Sequence, residues 1–180
     1  MDAFPQRKLH RLQNYDYSQN GCYFITICTF QRRNLLCTAG NAVPGVPPSV
    51  NPTEIGKIVL AAWDRMSEIN PCVSTDSFCL MPNHIHGIVV INDRELVETA
   101  ERRGRRSLPD IVRAFKSATT REFNRLVDPA RKNALWQGSY YDEVIRNDSH
   151  LTAVRQYIAG NAARWTEDEY YTPDPNPQNI

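Results

Sequence analysis

The sequence has few of the features that mark an exported or membrane-spanning protein. It contains no apolar run near the ~18 residues that a membrane span requires, and its first twenty residues are polar and basic, without the apolar core of a signal peptide. The five cysteines are odd in number and include no Cys-x-x-Cys pair. We therefore expect reduced thiols in a cytoplasmic protein, because the spacing favours no disulfide framework.

Excess charge is also lacking, since the net charge is only +1. Basic residues are nevertheless concentrated between Glu101 and Lys132, a segment that contains ten basic residues and only four acidic ones. Such a patch suits a phosphate backbone, although a solvated helix face gives the same pattern. The residues that we expect to contact nucleic acid are Arg102, Arg103, Arg105, Arg106, Arg113 and Lys116.

Length and composition predict one globular domain spanning residues 1–180, because 41% of the residues are hydrophobic and 23% are charged. Residues 1–15 and 166–180 are predicted to be extended or loosely held tails, since the latter segment is acidic and then rich in proline. Residues 35–52, with four prolines, are predicted to form a loop or weak hairpin.

The hydrophobic periodicity predicts four strands and three helices. The predicted strands are 21–30, 73–80, 84–91 and 134–141, and the predicted helices are 53–68, 107–126 and 148–158, the last capped by Asp148. The order βαββαβ with a further helix is that of an α+β, ferredoxin-like antiparallel sheet. In that plan the first and third strands are central, and the last helix is available to close over the open face.

Two histidines in the third strand, His84 and His86, form the first candidate site. Residues two apart in a strand project from the same face, so both imidazoles can converge on one ion. The plain alternative is a pair of histidines that are each satisfied by a hydrogen bond. The last helix adds Tyr157 and, one turn later, Asn161, which project from one side. By themselves these two are as well explained by packing and by a helix C-cap.

Five segments resemble, in order, the REP-associated tyrosine transposases, members of the HUH single-tyrosine, IS200-like transposase superfamily. These segments are Asp16–Thr29, Met81–Ile88, Ile111–Ser117, Trp136–Arg146 and Tyr157–Trp165. The resemblance implies that Tyr157 is the nucleophile and that His84, His86 and Asn161 are metal ligands. The family usually has Asn-Pro where this chain has Asn161-Ala162. With Gly160 just before, the helix is expected to end early.

The resemblance implies a single-stranded DNA endonuclease and strand transferase that acts through a 5′-phosphotyrosine with Mg²⁺ or Mn²⁺. Its expected partner is single-stranded or hairpin DNA, with palindromic elements as the target and no membrane involved. The sequence leaves monomer and homodimer open.

Two other functions stay open at this stage. The first is a domesticated nucleic-acid-binding module that does not cleave. The second is a metallohydrolase, which needs a third strong ligand that neither His10 nor His150 supplies by spacing.

Overall fold

An antiparallel four-stranded sheet forms the centre of the described structure. The computed structural model describes residues 12, 14–39, 50–92, 106–128 and 133–173. The strands, in chain order, are β1 (Gly21–Cys28), β2 (Cys37–Ala39), β3 (Val50–Pro52), β4 (Val73–Leu80), β5 (His84–Ile91) and β6 (Tyr141–Ile145). Within the main sheet the order is β4-β5-β1-β6, and every neighbouring pair is antiparallel. This order confirms the ferredoxin-like prediction, in which the first and third strands of the sheet are central.

The helices, in chain order, are α1 (Glu54–Asp64), α2 (Met66–Ile69), α3 (Leu108–Val127) and α4 (Asp148–Asn161). The helices α1 and α3 begin where the sequence predicts, whereas the predicted single helix 53–68 is divided at Arg65 into α1 and α2. Thr53 accepts a hydrogen bond from the Gly56 N–H, and Ser107 and Asp110 form a capping box at the start of α3. None of the helices in the described ranges has the length and apolar character needed to cross a membrane.

One face of the sheet packs against α1 and α3 and carries the larger core. Alternate residues of β1 and β5, such as Ile25, Ile27 and Ile85, are fully buried there. Gly87 allows Trp63 to lie directly on the sheet, because a Cβ at this position would overlap the indole ring. Since strand residues alternate between faces, the polar residues between these isoleucines project from the opposite face.

The opposite face is covered by α4. Val154 and Ile158 of this helix pack on Phe24, Ile88 and Ile145, which project from the three adjoining strands. Burial of an aliphatic side chain of this size is worth about 1.5–3 kcal/mol. The helix therefore rests on a small core of its own, separate from that beneath α1 and α3.

The start and end of α4 differ from the prediction. Asn147, and not Asp148, is the N-cap, because its side chain accepts the hydrogen bond from the His150 N–H at 2.8 Å. The helix also does not end early near Gly160. It continues to Asn161 and passes into a 3₁₀ segment, Ala162–Glu167, because Ala162 permits helical backbone where proline would disfavour it at the preceding residue.

The predicted fourth strand, 134–141, is placed wrongly. The strand is β6, and its register runs from the Thr26–Tyr141 pair to the Cys22–Ile145 pair. Trp136 makes only an isolated bridge and donates its indole N–H to Thr119 of α3 at 2.8 Å. Its hydrophobic area is thus buried against a helix, which the sequence pattern does not distinguish from burial in a sheet.

Two further segments refine the prediction. Residues 35–52 contain the predicted hairpin, because β2 and β3 pair antiparallel. In the segment after Thr166, the Tyr170 carbonyl and the Thr172 hydroxyl accept hydrogen bonds from Asn83 at 2.8 Å and 3.0 Å, while the loosely held tails 1–15 and 166–180 stay a prediction. These contacts place residues 168–172 at the end of the sheet where the central strand β5 begins.

Candidate active site

The two histidines lie at the start of the central strand β5, on the face that α4 covers. In the antiparallel register His84 is opposite Cys28 and His86 is opposite Thr26 of β1. Both imidazoles are buried, with exposures of 0% and 1%. Their two Nε2 atoms are 3.0 Å apart, so the imidazoles converge on one point as the alternation of the strand predicts.

The outer nitrogen of His84 faces an acceptor whose identity the network fixes. The Asn83 amide nitrogen donates to the carbonyl oxygens of Tyr170 and Arg32, which can only accept. The Asn83 Oδ1 atom therefore faces His84 Nδ1, at 2.8 Å. His84 must carry its proton on Nδ1, which leaves the inner Nε2 with a free lone pair.

The outer nitrogen of His86 has a more adaptable partner. Thr26 Oγ1 lies 2.8 Å from His86 Nδ1, and a hydroxyl either donates or accepts. The His86 proton can thus lie between the two Nε2 atoms; when it is on Nδ1 instead, the lone pairs of both Nε2 atoms are free to bind one metal cation. Outer partners of this kind are the usual second shell of metal-bound histidines.

Both imidazoles are neutral at ordinary pH, which is the form that binds metals. Burial, with the neighbouring imidazole and Arg32 adding to it, lowers the pKa of His84 to about 2. Burial alone lowers the pKa of His86 to about 4. Protonation of either ring therefore does not compete with a cation near neutral pH.

Asp168 provides a third donor that the sequence analysis did not identify. Its side chain is 4% exposed, and Oδ2 lies 3.9 Å from His84 Nε2. The Tyr170 N–H donates to its other oxygen at 2.7 Å. Burial raises the pKa of this carboxyl, and the hydrogen bond from Tyr170 opposes that effect in part. Both imidazoles are neutral, so neither compensates the negative charge of the buried Asp168 carboxylate. A bound cation would compensate this charge.

The three side chains fit a divalent ion. Their ligand atoms all lie within 4.8 Å of one another. Adjacent ligands in an octahedron with ~2.1 Å bonds are ~3.0 Å apart, which matches the separation of the two Nε2 atoms. Two imidazoles with one carboxylate suit Mn²⁺ and other first-row metals as well as Mg²⁺.

Tyr157 projects from α4 beside the histidines. Its ring centroid is 5.3 Å from that of His86 and 5.9 Å from that of Phe24, and the side chain is 38% exposed. Burial raises the pKa of its hydroxyl, with Asn161 acting in the opposite direction. The phenol is therefore protonated at neutral pH, open to solvent on one side and next to the imidazoles on the other.

Asn161 lies one helical turn after Tyr157 and is 4% exposed. A hydrogen bond from its side chain lowers the pKa of Tyr157 and so favours the charged phenol. Within the described part of the chain, however, no acceptor is placed to form a well-aligned hydrogen bond with the Asn161 amide nitrogen. The continued helix keeps Asn161 on the side of α4 that faces the sheet. Its assignment as a metal ligand stays a prediction.

The predicted DNA-binding residues are not gathered at this site. Arg102, Arg103 and Arg105 lie outside the described residues, and Arg106 donates to the Asn70 side chain at 2.7 Å. Arg113 and Lys116 belong to α3, which packs on the face of the sheet opposite the histidines. The first pairs with Asp110, whereas the Lys116 ammonium donates to the carbonyls of Gln137 and Gly138. Their role in DNA binding stays a prediction.

Residues 168–172, near the end of the described chain, form a short strap that packs against one side of the site. The Tyr170 ring lies 4.8 Å from the His84 ring, and the Arg32 guanidinium lies 5.0 Å from the Tyr170 ring. Thr172 donates to Arg32 and contacts Asn34. Sequence reasoning missed Asp168 and this strap because the acidic tail carries no periodic signal. A local feature that could have pointed to a packed segment here is Asn83, a polar residue next to His84 whose amide needs hydrogen-bond partners when it is buried.

Comparison with known proteins gives a consistent result. A family model described as "Transposase IS200 like" matches residues 66–161, more than half of the chain. An uncharacterized protein of Haemophilus influenzae is 29% identical over 180 aligned residues, covering 92% of this chain and 93% of that protein. The structure of a REP-associated tyrosine transposase bound to a REP hairpin aligns with a TM-score of 0.57 at 17% identity, covering 86% of this chain and 73% of that one. At this identity the structural match establishes the shared fold.

Proposed function

Because this chain belongs to the IS200-like transposase family, we propose that it is a transposase that cuts and rejoins single-stranded DNA through a covalent bond to Tyr157. The observation that carries the proposal is the placement of the Tyr157 ring 5.3 Å from His86, whose inner nitrogen faces that of His84. A half-exposed phenol beside a buried pair of metal-binding imidazoles has the parts that phosphodiester transfer requires.

In the proposed reaction Tyr157 Oη attacks the scissile phosphorus. The Oη–P bond forms, the P–O3′ bond breaks, the phenolic proton leaves to solvent, and the 3′ oxygen takes up a proton. The products are a 5′-phosphotyrosine and a free 3′-OH. The energy of the linkage is retained in the covalent bond, so a 3′-OH can reverse the step without ATP.

The side chains have separate roles in this reaction. His84, His86 and Asp168, with Asn161 as an alternative third ligand, would hold Mg²⁺ or Mn²⁺. When bound there, such an ion would withdraw charge from the phosphate oxygens as a Lewis acid. Asn83 and Thr26 fix the imidazole orientations, and Phe24 and His86 fix the plane of the Tyr157 ring. Asn161 favours the charged form of the phenol, as an attacking tyrosine requires.

The proposed substrate is single-stranded or hairpin DNA, because the attacking phenol must reach a splayed phosphate on the open side of α4. The structural relative was solved with a REP hairpin, which supports palindromic elements as the target. We place the reaction in the cytoplasm and assign no membrane contact. Both a monomer and a homodimer are compatible with the proposal.

The test is formation of a covalent adduct. A 3′-labelled hairpin oligonucleotide with single-stranded flanks, drawn from palindromes beside the gene, is incubated with Mn²⁺, and a denaturing gel detects a protein–DNA band, because the 3′ fragment is the one that stays joined to the protein. We expect the band for the wild type and for Tyr140→Phe and Tyr141→Phe, but not for Tyr157→Phe. An adduct that persists in Tyr157→Phe would contradict the proposal.

Asp168 gives one observation in favour of a second function. A metallohydrolase needs a third strong ligand, and the buried carboxylate supplies it. In that case the metal-activated nucleophile is water. Mn²⁺-dependent cleavage by Tyr157→Phe, without any adduct, would identify the hydrolase, whereas hairpin binding with neither cleavage nor adduct in the wild type would identify the silent binding module.

A further inference from the structure

A cleft beside Tyr157 is not used by the proposed chemistry. It has a volume of about 470 Å³ and extends from His86 along α4. Phe24 forms its floor, and Tyr141 and Tyr157 stand on either side with ring centroids 6.2 Å and 5.9 Å from that of Phe24. Their ring planes make angles of 69° and 87° with the Phe24 ring. Two upright aromatic walls over a flat floor favour a planar ligand.

The outer edge of the cleft presents hydrogen-bond acceptors. Glu143 is directly opposite Phe24 in the β1–β6 register, so its carboxylate emerges next to the aromatic floor. The Tyr141 hydroxyl donates to Glu143 Oε2 at 3.2 Å, and His150 Nε2 lies 3.3 Å from Oε1. These two contacts fix the plane of the carboxylate. The side chain is 44% exposed, so solvent or a ligand reaches its remaining lone pairs.

The charge of the cleft argues against a phosphate as its occupant. Glu143 and Glu169 both line it, and no lysine or arginine is among its described lining residues. A phosphate here would face two carboxylates without a cation. A neutral aromatic ring with N–H donors on its edge instead satisfies both the stacking walls and the acceptors.

We propose that this cleft binds one unpaired nucleobase of the strand whose phosphate lies at the His84–His86 pair, and that it prefers guanine. This inference rests on the proposed function, because it extends the DNA path from the same site. Guanine has two adjacent N–H donors, N1–H and the 2-amino group, which match the two oxygens of a carboxylate. Thymine offers one N–H between two carbonyl oxygens, which Glu143 repels.

The arrangement is that of an extruded base held by stacking and read at its Watson–Crick edge. Stacking on the aromatic walls accepts any base, whereas the carboxylate discriminates among them. A well-placed pair of hydrogen bonds to a base gives on the order of tenfold discrimination. The base next to the scissile phosphate is thereby fixed, which orients that phosphate toward Tyr157.

The experiment measures binding without cleavage. Fluorescence anisotropy is recorded in EDTA at fixed salt with labelled ten-nucleotide dT strands that carry one central dG, deoxyinosine or dT. We expect wild-type protein to bind the dG strand about tenfold more tightly than the dT strand, with deoxyinosine between them because it lacks the 2-amino group. Glu143→Gln should reduce the dG preference to about twofold or less.

Two controls separate base readout from general damage. Glu122→Gln, a surface glutamate of α3 paired with Arg125, should keep the full preference for dG. Tyr141→Ala should weaken binding of all three strands, because it removes a wall and not the carboxylate. An equal affinity of the wild type for the dG and dT strands, or a dG preference unchanged in Glu143→Gln, would overturn the inference.

The result is independent of the adduct test. The binding assay requires neither metal nor the Tyr157 hydroxyl, so a dG preference lost in Glu143→Gln supports the cleft even where no covalent band forms. Conversely, an adduct formed by a protein without base preference would leave the proposed function intact and remove this subsite alone.

Discussion

At the scale of single residues, the site is a short chain of buried polar contacts that begins in the backbone. The carbonyls of Arg32 and Tyr170 fix the Asn83 amide, and this amide fixes the proton of His84. The backbone that presents the Arg32 carbonyl to Asn83 is also unusual, because Arg32 has a φ of 54°, in the left-handed region. The free lone pair on His84 Nε2 is thus set by groups that are not among the three candidate ligands.

The carboxylate of Asp168 gives the first prediction. Asp168→Ala should weaken Mn²⁺ binding by at least about tenfold, since it removes the negative ligand beside two neutral imidazoles. Isothermal titration calorimetry of the DNA-free protein measures the affinity. Glu167→Ala, an exposed acidic neighbour, is the matched control and should bind as the wild type does. If instead Asn161→Ala causes the loss and Asp168→Ala does not, Asn161 is the third ligand.

Some of these residues were predictable from the sequence and others were not. The pair His84–His86 follows from strand alternation, and Tyr157 with Asn161 follows from helical spacing together with a family resemblance. Asp168 comes seven residues after Asn161 in an acidic segment whose path depends on the 3₁₀ turn and on contacts with Asn83. No local pattern encodes such a tertiary path, so the carboxylate was attributed to the tail.

At the scale of elements, α4 carries Tyr157 and its attachment to the sheet decides where the phenol lies. Besides its small apolar core, the helix has one two-pronged ion pair, from Arg155 to Asp76 of β4, at 3.0 Å and 2.6 Å. Asp76 lies where the register of β4 with β5 shifts between Thr75 and Phe78. Such irregularities re-aim a side chain, and here the carboxylate points toward the helix.

This ion pair predicts a pH dependence of stability. The hydrogen bond from Arg155 lowers the pKa of Asp76 to about 2, below its unfolded value of about 3.9. The stabilisation is therefore complete above about pH 4 and is lost as the pH falls toward 2. We expect Asp76→Asn and Arg155→Gln to be energetically coupled at pH 7, so that the double variant loses less stability than the sum of the two single variants.

The measurement is a double-mutant cycle of urea unfolding at pH 7 and pH 3. The coupling should fall by about half at the lower pH, since pH 3 lies midway between the two pKa values. Cys22 and Asp148 are the other titratable groups near the pair, and both stay present in all four proteins. A coupling that is equal at both pH values would show that Asp76 does not titrate in this range.

Element prediction succeeded where capping and periodicity coincide. The predicted helices 53–68 and 107–126 start close to α1 and α3, because the residues that cap these helices, Thr53 and Ser107 with Asp110, are close in sequence to the apolar pattern. The fourth strand was misplaced because Trp136 looks like a strand residue and in fact packs beneath α3. An aromatic residue in a short segment reveals burial but not the partner that buries it.

At the scale of the whole molecule, the sheet separates the main hydrophobic core from the candidate active site. One face holds the core that α1 and α3 cover, and the other holds the histidines, the cleft and α4. Arg113 and Lys116 lie on the face that α1 and α3 cover. A DNA strand that contacts these two residues and also the histidines must therefore pass around an edge of the sheet. Arg106, which directly precedes the N-cap of α3, donates to the Asn70 side chain, three residues before the edge strand β4 begins.

The basic segment before α3 gives a prediction on salt dependence. Reversing the charge of Arg102, Arg103, Arg105 and Arg106 together should weaken hairpin binding and reduce the slope of log K against log salt by up to about 3, from ~0.7 per contact with a single strand. Lys57→Glu, at a surface lysine of α1, is the control. An unchanged slope would show that these arginines do not contact phosphate.

The central claim is that Tyr157 becomes covalently joined to DNA, and peptide mapping of the adduct tests it most directly. Trypsin cuts after Arg155 and Arg164 and so isolates Tyr157 as the one tyrosine of its peptide, whereas Tyr140 and Tyr141 fall in the peptide that ends at Arg146. After nuclease trimming of the Mn²⁺-dependent adduct, mass spectrometry should find the nucleotide on the Gln156–Arg164 peptide. A nucleotide found on the peptide of Tyr140 and Tyr141, with Gln156–Arg164 unmodified, would contradict the account.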